Sequence, residues 1–189
     1  MHPGKLSIIL LAYQSEKRLE KAVTEIDTSL LAAGIPHEIV IIDDGSADQS
    51  FAKARELAQR IENISAYSLS RNYTSPMAQF AGLEMCTGQC ACPMPDDGQR
   101  PIAHIIDMYR LWEKGHKIIL GYREGRDDGR VNDFFSNGYY SFMNRFSEIT
   151  FPPGGSDGYL IDREIIDLLN TRISKRNTTP VIELLKLGY

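Results

Sequence analysis

The chain is short of several things, and each shortage narrows its function. It has no long hydrophobic run. The longest purely apolar stretches, such as residues 8–13, fall far short of the roughly 20 residues a bilayer-spanning helix needs. Basic charge is not in excess: 21 Lys and Arg stand against 25 Asp and Glu, a net charge of -4. That balance removes the basic surface on which sequence-independent nucleic-acid binding depends, so no nucleic acid is expected as a partner. Cysteine is scarce and odd in number, with Cys86, Cys90 and Cys92 alone. Three thiols close no complete disulfide set, which suits a reducing, cytoplasmic setting. Cys90-Ala91-Cys92 lacks a second Cys pair or a nearby pair of His residues, so a zinc site is not expected. The N-terminus lacks a leader pattern, because Glu16, Lys17 and Arg18 follow the apolar stretch at once.

Familiar signatures are missing as well. No G-x-G-x-x-G follows the first apolar segment, and there is neither a Walker A loop nor a G-x-S-x-G elbow. Dinucleotide, P-loop and α/β-hydrolase chemistry are thereby disfavoured. A phosphoacceptor receiver fits poorly too. Its acidic pair follows the first strand and a lone Asp the third, whereas here the pair follows the second and Asn72 the third.

What is present is a regular alternation. With 42% hydrophobic and 24% charged residues, 189 residues can bury the core of one α/β domain. Residues 5–12 read as a buried strand. Leu19, Ala22, Val23, Ile26 and Leu30 recur at helical spacing and predict a helix over residues 15–33, ended by Gly34 and Pro36. Residues 38–42 form a second strand, and Ser46 with Gln49 is spaced as a capping box for a helix over residues 51–61. Strands over 64–69, 89–94 and 117–121 alternate with helices over 76–86 and around Ile102, Ile105, Ile106, Tyr109 and Trp112. The pattern predicts right-handed βαβ units, a mostly parallel sheet and helices on both faces. Residues 122–133 are polar. Residues 133–146 are aromatic and read as a helix, 152–155 as a loop, 157–161 as a strand and 163–170 as a short helix, with one more helix before the end.

Ligands of open parallel sheets bind beyond the carboxyl ends of the strands. Those ends carry Tyr13, Gln14 and Glu16; Asp43 and Asp44; Arg71 and Asn72; Asp96, Asp97 and Gln99; then Arg123 and Arg126. Taken alone, each acidic pair also reads as a surface turn, Arg123 and Arg126 read as surface charges, and the aromatic set of residues 134–142 reads as helix packing. Together they give one edge carboxylates and arginines, which suits a metal-bound, phosphate-bearing ligand.

In order and spacing these residues resemble glycosyltransferase family 2, with the GT-A fold. Residues 11–16 are similar to that family's P-x-Y-N-E entry, and residues 41–48 to its V-V-D-D-G-S-x-D. The branch that transfers sugars to polyprenyl phosphates is closer still, including dolichol-phosphate mannose synthases and bactoprenol glucosyltransferases. Ser70-Arg71-Asn72-Tyr73 with Ala78 and Ala81-Gly82-Leu83 resembles its S-R-N-F-G…A…A-G-L segment. Residues 94–101 resemble its D-A-D-L-Q-x-P. Tyr139-Tyr140, Asn144-Arg145, Pro152-Pro153 and Asp157 through Arg163 also follow it. Two positions depart. Pro95 stands where the family's first D-x-D aspartate does, leaving Asp97 as the second and Asp96 as a displaced carboxylate. Asp157-Gly158-Tyr159 stands for D-F-R, without the arginine.

The resemblance implies a single GT-A-like domain over residues 1–189, a Rossmann-like three-layer sandwich. Its nucleotide-binding part would cover about 1–121 and its acceptor side about 122–189, without the membrane helices into which branch members continue. It implies an inverting transfer of sugar from a nucleotide-diphosphate sugar to an acceptor such as polyprenyl phosphate at the inner membrane face. Tyr13, Glu16, Asp43, Asp44 and Arg123 would hold the donor nucleotide, and Asp97, Asp96 and Gln99 a Mg2+ or Mn2+ ion. Arg126 and Arg130 would hold the acceptor phosphate. Asp157 would be the catalytic carboxylate, as base or orienting group, against the alternative that it caps a turn. Pro95 and the missing arginine motivate a second hypothesis, a catalytically weak relative that binds nucleotide or a partner chain.

Overall fold

The computed structural model describes residues 4–122, 156–175 and 177–187. Seven successive elements alternate without a break: β1 (Leu6–Ala12), α1 (Leu19–Ala32), β2 (His37–Asp43), α2 (Ser50–Arg60), β3 (Ile64–Ser68), α3 (Ser75–Met85) and β4 (Cys90–Pro95). Then come α4 (Ile102–Glu113), β5 (Ile118–Tyr122), β6 (Ser156–Asp162), α5 (Arg163–Arg172) and α6 (Pro180–Lys186). The expected elements over residues 122–133, 133–146 and 152–155 lie outside the described residues, apart from Tyr122 at the end of β5.

Six strands form one sheet in the order β3-β2-β1-β4-β6-β5. The β1–β2, β1–β4 and β2–β3 ladders are parallel. The sheet is therefore mostly parallel where the sequence alternates strand and helix. Past β4 it changes. β6 runs antiparallel to both β4 and β5 and separates them, so β5 is not the next neighbour of β4 that a continued βαβ series would make it.

The strand side chains alternate between two cores, as the period of two requires. On one face Leu6, Ile8, Leu10, Ile39, Ile41, Cys90 and Cys92 meet Leu19, Val23, Ile26 and Leu30 of α1, Leu57 of α2 and Ile105 and Tyr109 of α4. On the other, Ile9, Val40, Ile42, Ala91 and Ile161 meet Phe80 and Leu83 of α3, Ile165, Ile166 and Leu169 of α5 and Leu184 of α6. Each fully buried Leu or Ile contributes roughly 1.5–3 kcal/mol of transfer free energy. The three cysteines sit in these cores, where burial raises their thiol pKa values, that of Cys92 to about 11.

Two helix starts differ from the sequence expectation. The Ser46–Gln49 capping box does not form. Asp48 instead accepts from the Ser50 backbone N–H at 3.0 Å and from the Ser50 hydroxyl, while Ser46 Oγ accepts from Gln14 N at 2.9 Å. The reason is tertiary: the loop after β1 lies close enough to claim the serine. α1 begins at Leu19 rather than Ser15, because residues 15–18 form a turn in which the Ser15 carbonyl accepts from Arg18 N and Leu19 N, both at 3.0 Å.

Candidate functional site

The carboxyl ends of β1, β2 and β4 are tied to one another before any ligand is considered. Asp44 N donates to the Ala12 carbonyl at 2.9 Å, Asp96 N to the Leu11 carbonyl at 3.2 Å and Leu69 N to the Asp43 carbonyl at 2.9 Å. The loop after β1 is fixed by Ser15, fully buried, whose N–H donates to Ser50 Oγ at 2.6 Å. Gly45 explains how the loop after β2 comes so near the loop after β3. Its φ is +67°, and a Cβ there would lie 2.3 Å from the Arg71 carbonyl carbon and 2.7 Å from Asn72 N. Only glycine permits both the conformation and the approach.

These loops enclose a cavity of about 340 Å3 lined by Leu11, Ala12, Tyr13, Arg18, Asp44, Asn72, Thr74, Ser75, Ala78, Pro95, Asp96 and Asp97. Tyr13 is exposed at its rim. Asp44 is buried and accepts from Tyr73 N at 2.8 Å. Beside it Asp43, 1% exposed, accepts through Oδ2 from Ser68 Oγ at 2.8 Å and Ser46 N at 3.3 Å, while its buried Oδ1 has no hydrogen-bond partner among the described residues. A buried carboxylate oxygen left without a donor carries the desolvation penalty uncompensated.

Asp96 is in a similar state. Its Oδ2 lies 3.1 Å from Arg18 Nε, an ion pair whose angle is not that of a hydrogen bond, and the carboxylate is 4% exposed. Arg18 also donates to the carbonyls of Tyr13 and Gln14 and to Ser15 Oγ, so one guanidinium joins the β1 loop to the β4 loop. Asp97 is exposed and accepts from Gln99 N at 2.9 Å across a turn at Gly98. Asp96 and Asp97 suit a small hard cation that takes its remaining ligands from substrate phosphates and water. Such an ion would share or displace Arg18. Among the described residues no three His, Cys, Asp or Glu side chains converge on one point.

Tyr13, Asp44, Asp96 and Asp97 thus share one cavity, with Asp43 alongside. Glu16 does not line it: its Oε2 accepts from Gln49 N at 3.0 Å, at the start of α2. Gln99 is exposed, and its described bond is the backbone one to Asp97. Arg123, Arg126 and Arg130 lie outside the described residues. The Asp157 backbone is in β6, where the pairing with β5 skips it between Gly121↔Gly158 and Tyr122↔Ser156; its side chain lies outside the described residues. Sequence reasoning passed over Arg18. Arg18 follows Glu16 and Lys17 in an exposed run, and nothing local signals that it reaches β4.

The family model for Glycosyl transferase family 2 matches residues 7–168. The chain is 28% identical over 166 residues to an uncharacterized glycosyltransferase of Synechocystis, sll0501, covering 87% of this chain and 52% of that protein. It is 31% identical over 131 residues to the bactoprenol glucosyl transferase of Shigella phage SfX, covering 69% and 43% respectively. The chain spans about half the length of the curated relatives it matches. Among solved structures, the mannosyltransferase PcManGT of Pyrobaculum calidifontis, in complex with GDP-Man and Mn2+, superposes with a TM-score of 0.65 at 12% identity, over 100% of this chain and 54% of that one. That likeness is one of fold, and the fold is GT-A.

Proposed function

The chain belongs to glycosyl transferase family 2, and from that membership we propose that it transfers a hexose from a UDP- or GDP-linked sugar to a polyprenyl phosphate, with inversion. The observation that carries the reading is the cavity where Tyr13, Asp44, Asp96 and Asp97 meet at the carboxyl edge of the parallel strands. Tyr13 offers the base an apolar face. Asp43 and Asp44 accept from base N–H and ribose hydroxyl groups, and the unpartnered Asp43 Oδ1 gives such a donor a place to go. Asp96 and Asp97 would hold Mg2+ or Mn2+, whose chemistry is to neutralise charge on a departing diphosphate. Arg18 already supplies positive charge on the same wall, and Arg123 is assigned to the diphosphate.

A phosphate monoester has its second pKa near roughly 6, so a polyprenyl phosphate arrives largely ionised and needs little help from a base. One of its oxygens forms the new bond to the anomeric carbon as the bond from that carbon to the donor's diphosphate oxygen breaks. The electron pair leaves with the nucleoside diphosphate. A single displacement of this kind inverts the anomeric centre. Asp157 is assigned to orient the acceptor, and Arg126 and Arg130 to its phosphate. The acceptor class rests on the bactoprenol glucosyl transferase relative. Among the described residues no helix is long and apolar enough to cross a membrane.

The test is twofold. Nucleoside diphosphates should raise the melting temperature, and incubation of the nucleotide sugar with a polyprenyl phosphate should release free nucleoside diphosphate and an inverted product. No thermal shift with any nucleotide at millimolar concentration would sink the donor site, and a retained configuration would sink the single displacement. Pro95 and the hold of Arg18 on Asp96 favour one second reading, a nucleotide-binding relative with weak turnover. Nucleotide binding without release of nucleoside diphosphate is its signature.

A further inference from the structure

A second cleft, of about 240 Å3, adjoins the first and shares Leu11, Ser75 and Pro95 with it. It lies where the sheet comes apart. β6 pairs with β4 only at Cys90↔Asp162 and Ala91↔Ile161. Beyond that point Pro93 has no N–H to give to a ladder, and its carbonyl accepts instead from Arg100 Nη1 at 2.9 Å. The guanidinium lies over Gly158. A Cβ at that position would fall 2.0 Å from Arg100 Nη2 and 2.2 Å from Cζ, and the Gly158 φ of +142° is one that side chains rarely adopt. Proline in β4 and glycine in β6 together make room for this one side chain.

Arg100 is only partly exposed, yet among the described residues no carboxylate pairs with it and its Nε and Nη2 have no acceptor. A half-buried guanidinium with free donors is a ready anion seat, suited to the two-oxygen recognition of a phosphate. The walls around it are largely apolar: Leu11, Met94, Tyr159 and Val181. On the floor Tyr159 Oη donates to Gln79 Oε1 at 3.0 Å, and Gln79 Nε2 to Ser75 Oγ at 3.1 Å, so those polar groups satisfy one another. A guanidinium unpaired among the described residues, amid apolar walls, fits an amphiphile with a phosphate head.

We propose that Arg100, seated over Gly158 in the cleft between β4 and β6, binds the phosphate of the lipid-linked acceptor beside the donor cavity. The assignment rests on the acceptor class proposed above and adds a contact from β4's own loop, apart from Arg126 and Arg130. The cleft shares Leu11, Ser75 and Pro95 with the donor cavity, which would set the acceptor phosphate next to the sugar to be transferred.

Calorimetric titration of a short-chain isoprenyl monophosphate into the wild-type chain, Arg100→Gln and Arg100→Lys tests this, with and without saturating nucleoside diphosphate. Arg100→Gln should weaken the phosphate probe at least tenfold and Arg100→Lys less. The corresponding isoprenol, lacking phosphate, should bind the wild-type chain and Arg100→Gln alike, and nucleotide affinity should not move. Gly158→Ala, which evicts the guanidinium without removing it, should resemble Arg100→Gln, with circular dichroism confirming the fold. Equal probe affinity in wild type and Arg100→Gln overturns the proposal, as does a wild-type chain that does not bind the probe. A loss confined to nucleotide overturns it too, by assigning Arg100 to the donor. Failure of nucleotide to bind any variant strikes the donor reading instead, and the probe titrations without nucleotide still judge Arg100.

Discussion

Both ends of β2 carry a carboxylate, and the two are held in opposite ways. Glu38, near its start, is saturated. It accepts from Ser7 Oγ at 2.6 Å, Thr87 N at 2.6 Å, Thr87 Oγ1 at 2.7 Å and Lys5 Nζ at 2.9 Å. Burial pushes its pKa up, but the hydrogen bonds from Ser7, Thr87 and Lys5 outweigh it and hold the group at about 2. Asp43, at the far end, is more deeply buried and leaves one oxygen unmet. Asp96, next along the same edge, does likewise. A carboxylate whose lone pairs are filled by its own chain has nothing to offer a ligand. One that is buried and unfilled costs stability until something fills it. Glu38 at the amino end of β2 is satisfied within the chain, and Asp43 and Asp96 at the carboxyl edge are not.

Substitutions at the two ends of β2 should act in opposite ways. The largest effect is expected at Asp43→Ala: nucleoside diphosphate affinity should fall on the order of a hundredfold, about 2.7 kcal/mol, while thermal stability stays level or rises. A calorimetric Kd beside a melting curve checks both. Equal loss of stability and affinity would make Asp43 a structural group like Glu38. Glu38→Gln should do the reverse, costing about 2 kcal/mol in denaturant unfolding with nucleotide affinity unchanged.

The third prediction is pH dependence. Because the folded Glu38 pKa is depressed, its stabilisation is fully present above the unfolded value near 4.5 and is lost as pH falls toward 2. Wild type should therefore lose stability through that window more steeply than Glu38→Gln, as acid titrations of the unfolding free energy would reveal. Parallel curves would remove Glu38 from the account. The smallest effect is expected at Glu20→Gln. Its pKa is held at about 2 by bonds from Lys53 and then Arg60, but the group lies on the helical surface, and solvent screens the pair. Its melting midpoint should match the wild type within error, in low salt and high.

Much of the fold was readable along the chain. β1 and β2 are continuous apolar runs because both of their faces are covered, and α1 shows its stripe because only one of its faces is. Asp43, Asp44, Asp96 and Asp97 could be nominated because each lies at or just past the carboxyl end of a strand. Glu16 could not be told apart from them by that rule. Its side chain turns to the N-terminus of α2, a choice made by packing between two loops. The capping box failed for the same cause, since Gln14 reaches Ser46 from another segment.

The alternation of elements, the parallel half of the sheet and the edge on which the polar groups gather follow from local sequence, because periodicity and strand ends are local properties. Tertiary structure alone decided which polar groups are spent and which are free. Whether a carboxylate is saturated depends on groups far away in sequence: Thr87 donates to Glu38, whereas Arg18 lies beside Asp96 without hydrogen-bonding its buried oxygen. It also decided where β6 enters the sheet. Two antiparallel residue pairs with β4, a proline that ends their ladder and a glycine that admits Arg100 are meaningful only once the strands lie side by side, because the energy of a hydrogen bond or a close contact depends on distance in space and not along the chain.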